Sequence, residues 1–167
     1  ITTHTQYCKA LKKSLFKKKV KIKDHDTLLV IDMQNDFIDR PYVDHKKKRL
    51  KSGKLPTYDS KVIIPKIVKI IQKFQKQKSS NVIATRDYHP GGNKASQHCS
   101  FPIFGEHCVW KTKGSDLVKE IERKLIRNNK FRKNCWIVFK AFHKAIDSFG
   151  AFKYRERYAQ GRICGCT

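Results

Sequence analysis

Acidic residues are scarce in this chain: 14 Asp and Glu stand against 38 Lys and Arg, a net charge of +24 over 167 residues. Long apolar runs are missing as well. No stretch approaches the ~18–20 residues that a membrane-spanning helix needs. The opening segment lacks the apolar core of a secretory signal. It starts at Ile1 rather than Met, so the start reads as cut or processed. Six cysteines include no C-x-x-C pair and no ladder-like spacing. Reduced thiols in a cytosol-like compartment are the simpler inference; a cytoplasmic location is expected, with a nuclear one left open. Internal repeats are also absent.

The charge imbalance raises nucleic acid or an anionic membrane surface as partners. The excess is mostly lysine, densest at Lys9–Lys23 and Lys46–Lys54, and those two patches contain one arginine, Arg49. Sequence-reading proteins favour arginine forks and interleaved aromatics. Solvated lysine-rich segments are therefore the preferred reading over a nucleic-acid face.

What is present is 39% hydrophobic sequence, enough for one domain with a core. Residues 1–25 read as a basic lead-in and 26–167 as the domain. Three short apolar runs without alternation, Thr27–Ile31, Val82–Arg86 and Cys135–Phe139, fit strands buried on both faces. A fourth run is Arg162–Gly165. Between them lie two helical patterns. Asp59 or Ser60 is expected to cap one that has Pro65 in its first turn and Ile63, Ile67, Ile70, Ile71 and Phe74 on its apolar face. Ser115 is expected to cap the other, with Leu117, Val118, Ile121, Leu125 and Ile126 inward. The polar stretch Asp39–Asp59 is long for a loop and is expected to protrude. Such alternation predicts an α/β fold, a doubly wound parallel sheet with helices on both faces.

Sheets of this kind bind ligands at the carboxyl ends of their strands, and each run here ends in a residue fit for chemistry. Asp32 follows the first and is a candidate general base, with turn-capping through Asn35 or Asp36 as the plainer role. Asp87 and His89 follow the second and can hold one face of a divalent ion. His98 and His107 lie in the next loop; together the set suits zinc, iron or manganese. Lys140 ends the third run, where snorkelling to water is the alternative. His4, His25, His45 and His143 have no comparable partners. Cys164 and Cys166 are read as structural thiols.

Asp32-Met33-Gln34-Asn35-Asp36-Phe37 resembles the D-x-Q-N-D-F opening of nicotinamidases in the isochorismatase-like cysteine hydrolase family. Thr85-Arg86-Asp87-Tyr88-His89-Pro90 is similar to their T-x-D-W-H-P. Further segments correspond in the same order: His98–Phe101, Phe104–Val109, Thr112–Leu117, Val138–Ala141 and Asp147–Phe152. The resemblance implies nicotinamide hydrolysis through a cysteine thioester, with Asp32 and Lys140 in the catalytic places. It puts Asp87, His89 and His107 in the metal places, with His98 as an additional ligand, one divalent ion (zinc foremost), and Phe37 and Phe104 against the substrate. Homo-oligomers are left open. Tyr88 stands where the family has Trp, Ala141 where it has Gly, and Phe104-Gly105-Glu106 where it has W-P-x. Ile163–Thr167 resembles the start of V-C-G-x-A-T-x-Y-C-V, so the nucleophile cysteine and the closing part of the fold are expected past Thr167. The 167 residues alone are then expected to be inactive on nicotinamide. Rival readings are a metal-free relative acting on isochorismate or ureido compounds, and a basic binding module without catalysis.

Overall fold

A computed structural model describes residues 21–91, 97–151 and the backbone of 163–164. The basic lead-in up to residue 20 and Cys166 lie outside the described residues. The first strand, β1 (Thr27–Val30), leads through a 3-10 turn (Asn35–Phe37) into a two-stranded hairpin, β2 (Tyr42–Val43) and β3 (Arg49–Leu50). A 3-10 turn (Ser60–Ile63) then opens helix α1 (Ile64–Gln75), followed by β4 (Asn81–Asp87). A one-turn helix α2 (Phe101–Phe104) precedes α3 (Lys119–Leu125), a second small hairpin of β5 (Ile126–Arg127) and β6 (Lys130–Phe131), and β7 (Cys135–Lys140). Ile163–Cys164 forms β8.

The main sheet has the order β1-β4-β7-β8. The first three strands are parallel, in a register that sets Val30 beside Ala84 and Ala84 beside Ile137. The fold is thus a parallel α/β sheet flanked by helices, as the alternation of patterns predicts. The fourth run departs from that expectation, because β8 pairs antiparallel to β7. A parallel return needs a crossover connection, usually a helix, and among the described residues after β7 none is helical.

The core lies between sheet and helices. Val30, Val82, Ala84, Cys135 and Ile137 from the strands meet Ile64 and Ile71 of α1 and Ile121 and Leu125 of α3. Two details of the helical expectation are corrected. Ile64 and Ile71 face inward on α1, whereas Ile63 and Ile70 are 40% and 42% exposed. The 3-10 turn rotates the start of the helix, so the apolar stripe is entered one residue later. Neither cap forms as expected. Asp59 sits at φ +53° without a capping bond, and the Ser60 hydroxyl instead accepts from the Asp39 N–H and donates to the Phe37 carbonyl. Ser115 is fully buried and lies in a 3-10 turn, where its hydroxyl donates to the Thr112 carbonyl. Ile126 leaves the helix for β5. The polar stretch after Asp39 is built around the β2–β3 hairpin, with the backbone of Gly53, Leu55 and Thr57 tied to residues 36–38.

Candidate active site and metal centre

The parallel register brings the chemistry together. Asp87 ends β4 directly opposite Lys140, which ends β7, and Asp32 lies just past β1. Lys140 does not snorkel. Its side chain is 3% exposed, and its ammonium sits 2.5 Å from Asp87 Oδ1 and 3.0 Å from Asp32 Oδ2. Asp32 does not cap the turn after it. Its other oxygen accepts from the Thr85 hydroxyl at 2.6 Å, while its own N–H donates back to Thr85 Oγ1 at 3.1 Å. One ammonium thus holds two carboxylates from neighbouring strands. Burial opposes charge on Lys140, but the two carboxylates outweigh it and raise its pKa above the usual lysine value. Burial pushes Asp87 up to about 6, against the pull of Lys140. At neutral pH Lys140 is therefore charged and Asp87 is mainly ionised beside it.

The second oxygen of Asp87 points away from Lys140 and lies 3.9 Å from His89 Nε2. Asp87, His89 and His107, all buried, present ligand atoms within 4.8 Å of one another and form a candidate three-residue metal site. The hydrogen bonds behind the rings support that fit. His89 Nδ1 donates to the Ala141 carbonyl at 3.1 Å, and His107 Nδ1 to the Gly105 carbonyl at 2.8 Å. A carbonyl can only accept, so both rings carry their proton on Nδ1 and turn the Nε2 lone pair inward. The two Nε2 atoms face each other at 3.2 Å. Burial, reinforced by the neighbouring histidines, drives His89 down to about 3, which leaves the ring neutral. Two buried lone pairs opposed in this way lack a hydrogen between them, and a carboxylate completes the set. That donor chemistry suits a divalent transition ion.

His98 departs from its expected place as a fourth ligand. Its ring stacks on His89 with centroids 4.1 Å apart, but both nitrogens are taken. Nε2 donates to the Ile146 carbonyl at 3.1 Å, and Nδ1 accepts from the Ser100 hydroxyl at 2.7 Å. Burial lowers its pKa, consistent with a neutral ring that ties the loop before α2 to the segment after β7.

Other residues carry the site without having been singled out for it. Gln34 is fully buried; its amide nitrogen donates to the carbonyls of Asp87 (2.7 Å) and Ser115 (2.8 Å), and its oxygen accepts from the Asp87 N–H at 2.7 Å. It clamps the residue that links lysine to metal site. Asp36 accepts from the Tyr42 hydroxyl (2.7 Å) and the Cys108 N–H (2.8 Å). A Cβ on Gly114 would lie 2.1 Å from its carboxylate, so that position must be glycine. Their signal was present within Gln34-Asn35-Asp36, but a polar residue inside a motif does not announce its partner 50 to 80 positions away. Ala141 sits at φ +53°, in the left-handed region where an L-residue other than Gly, Asn or Asp is strained. That is the position where the resembling family has Gly, and its carbonyl orients His89.

Around these groups lies a cavity of about 200 Å³, bordered by Asp32, Phe37, His89, Phe104, His107 and Lys140, with Ser100, Leu55 and residues 147–149 completing the wall. Phe37 and His107 rings are 5.6 Å apart. Phe104, half exposed, meets Phe149 edge to face at 6.3 Å. Among the described residues no cysteine borders the cavity. Cys108 is fully buried, and burial pushes its thiol well above the usual value.

Residues 26–151 match the family described as Isochorismatase domain. This chain belongs to that family. The isochorismatase domain is similar in fold to an isochorismatase-like hydrolase from Alkaliphilus metalliredigens, at 23% identity and a TM-score of 0.50, over 70% of this chain and 52% of that one. It is also similar to N-carbamoylsarcosine amidase from Thermoplasma acidophilum, at 20% identity and a TM-score of 0.46 with the same coverage. The chain thus spans about half the length of these solved structures. Among curated proteins there is no match. No described helix is long and apolar enough to cross a membrane.

Proposed function

We propose that this isochorismatase domain serves a metal-dependent amide hydrolase that converts nicotinamide to nicotinate and ammonia through a cysteine thioester. The observation that carries the reading is Lys140 bridging Asp32 and Asp87. That bridge joins a proton-transfer carboxylate to a Asp-His-His donor set across one small cavity. A volume of about 200 Å³ is below the range typical for larger ligands and favours a single-ring substrate between Phe37 and Phe104.

In this reading the nucleophile is a cysteine outside the described residues. Asp32 takes the proton from its thiol, the thiolate adds to the carboxamide carbon, and the same proton leaves with ammonia. Water then hydrolyses the thioester, with Asp32 as base. Lys140 holds the Asp32 carboxylate in place and favours the anionic sulfur. Asp87, His89 and His107 would hold zinc, or iron or manganese in its place, with His98 bracing His89 through ring stacking. When bound there, the ion supplies a contact for the pyridine nitrogen and fixes the ring. The mutually facing lone pairs of His89 and His107 weigh against a metal-free relative.

The test combines metal content with ammonia release in the full-length protein. Zinc-loaded protein is expected to release ammonia from nicotinamide faster than from benzamide, which lacks the ring nitrogen. Asp32→Asn should lower turnover about a hundredfold or more, the scale of losing a group engaged in proton transfer. The His89→Ala, His107→Ala double variant should lose its metal. Equal metal in wild type and double variant would remove the metal site, and turnover unaffected by Asp32→Asn would remove the proposed chemistry.

A further inference from the structure

We infer that the end of the sheet opposite the active site is a binding surface for the phosphate backbone of a nucleic-acid duplex. Two long segments of the chain contain no acidic residue at all. Between Ser60 and Arg86 the charged side chains are Lys61, Lys66, Lys69, Lys73, Lys76, Lys78 and Arg86; between Arg123 and Ile146 they are again all basic. The fold joins the two where α1 ends before β4 and α3 ends before β7. Gln75 donates to the Lys124 carbonyl, and Asn134 donates to the carbonyls of Lys78 and Ser80. These bonds place Lys76, Lys78, Arg132 and Lys133 around one rim, with Lys73, Arg127 and Lys130 beside them. All seven are exposed.

Charge at this rim is uncompensated. Among the described residues none of the seven takes part in an ion pair, whereas Arg40, Lys54, Arg86, Lys113 and Lys140 all do. Glu122 stands beside Arg123 in α3, and Asp24 and Asp26 precede β1, where the Asp26 carboxylate already accepts from the Lys23 N–H at 2.7 Å. The Lys23 carbonyl also accepts from the Ser80 hydroxyl, so Lys23 meets the fold at the same rim. Folding concentrates here a positive charge that the sequence spreads along its length.

The chemistry of the rim selects the partner. A depression of about 200 Å³ is bordered by Lys76, Gln77, Lys78 and Lys133, with Gln75, Ser80, Asn134 and the apolar Val82. The exposed ammonium groups at its edge are donors to phosphate oxygens, while the Ser80 hydroxyl and the Gln75 and Asn134 amides are spent on carbonyls within the fold. No exposed large apolar side chain falls within residues 73–82 or 123–134. Unpaired bases would find nothing there to stack on, and a bilayer would receive no apolar anchor. Backbone contact with a duplex, independent of base sequence, is what remains.

The experiment measures binding of the full chain to a short mixed-sequence DNA duplex by fluorescence anisotropy across a salt series. Affinity should fall steeply with salt. Replacing Lys76, Lys78, Arg132 and Lys133 together by Gln should weaken binding at least about tenfold. It should also reduce the slope of log K against log salt by about three to four, near 0.9 per lost phosphate contact. The matched variant with Lys46, Lys47, Lys48 and Lys51 changed to Gln removes the same charge elsewhere and should stay within about twofold of wild type. Equal weakening by the two variants would show diffuse charge and overturn the site. So would absence of duplex binding, or tighter binding to phosphatidylserine vesicles than to the duplex.

Discussion

The two ends of one sheet handle charge in opposite ways. At the carboxyl end, Lys140 is almost fully buried between Asp32 and Asp87, Thr85 holds the second oxygen of Asp32, and Gln34 locks the backbone beneath them. At the amino end, Lys76, Lys78, Arg132 and Lys133 are exposed and have no ion pair among the described residues. Buried charge must be matched group by group, since an unpaired ion in a poorly solvated site costs several kcal/mol. Exposed charge is screened over roughly 8–10 Å and acts as a field rather than as a set of bonds. The first end can therefore do chemistry at fixed atoms, and the second can attract an anion but not orient one finely.

That contrast is broken most sharply at Lys140. Lys140→Met leaves buried Asp87 and half-buried Asp32 without their counter-ion, and a loss of about 3–5 kcal/mol in urea unfolding is expected, the scale for removing one partner of a buried pair. A loss below about 1 kcal/mol would mean that the carboxylates are better solvated than their burial implies. Next comes Gln34→Met, which preserves volume but strips partners from the Asp87 N–H and carbonyl, while the Ser115 carbonyl keeps its bond from Arg86. About 2–3 kcal/mol should be lost, the cost of buried polar groups left unsatisfied. Unfolding in denaturant checks it, with an unchanged m-value showing that the fold itself persists.

The pH response is a smaller and signed effect. Asp87 holds its proton in the folded state up to about 6, whereas an unfolded carboxyl releases it near 4. Between those values the folded state binds more protons, so this group destabilises the metal-free protein above about pH 6, and the penalty is relieved as pH falls toward 4. In chelator, wild type should gain stability relative to Asp87→Asn as pH drops from 7 to 5. A gap that shrinks instead would place the Asp87 pKa below its unfolded value. Smallest of all is Lys78→Gln at the amino end. With no ion pair to lose, it should shift stability by no more than about 0.5 kcal/mol; a larger change would reveal a partner for Lys78 and weaken the contrast.

Much of this molecule was legible in one dimension. Unbroken apolar runs marked the three parallel strands, because a strand buried on both faces has no polar alternation. The residues at their ends, Asp32, Asp87 and Lys140, followed from where such sheets place their ligands. Other features could be fixed only by tertiary contact. Whether Lys140 pairs or snorkels depends on a register that sets it against Asp87 from 53 positions away. His98 and His107 look alike in the chain, yet the Ile146 carbonyl and the Ser100 hydroxyl occupy both nitrogens of one, while the Gly105 carbonyl leaves the other with a lone pair aimed at His89. The start of α1 slipped because a 3-10 turn, tied through Ser60 to residues 37 and 39, took the place of a local cap. The lysines, read singly as solvated, became a surface once α1 and α3 ended side by side. Periodicity and composition are properties of neighbours along the chain, and the sequence states them directly. Register, hydrogen-bond partner and net local field are properties of neighbours in space, and they exist only after the chain has closed on itself.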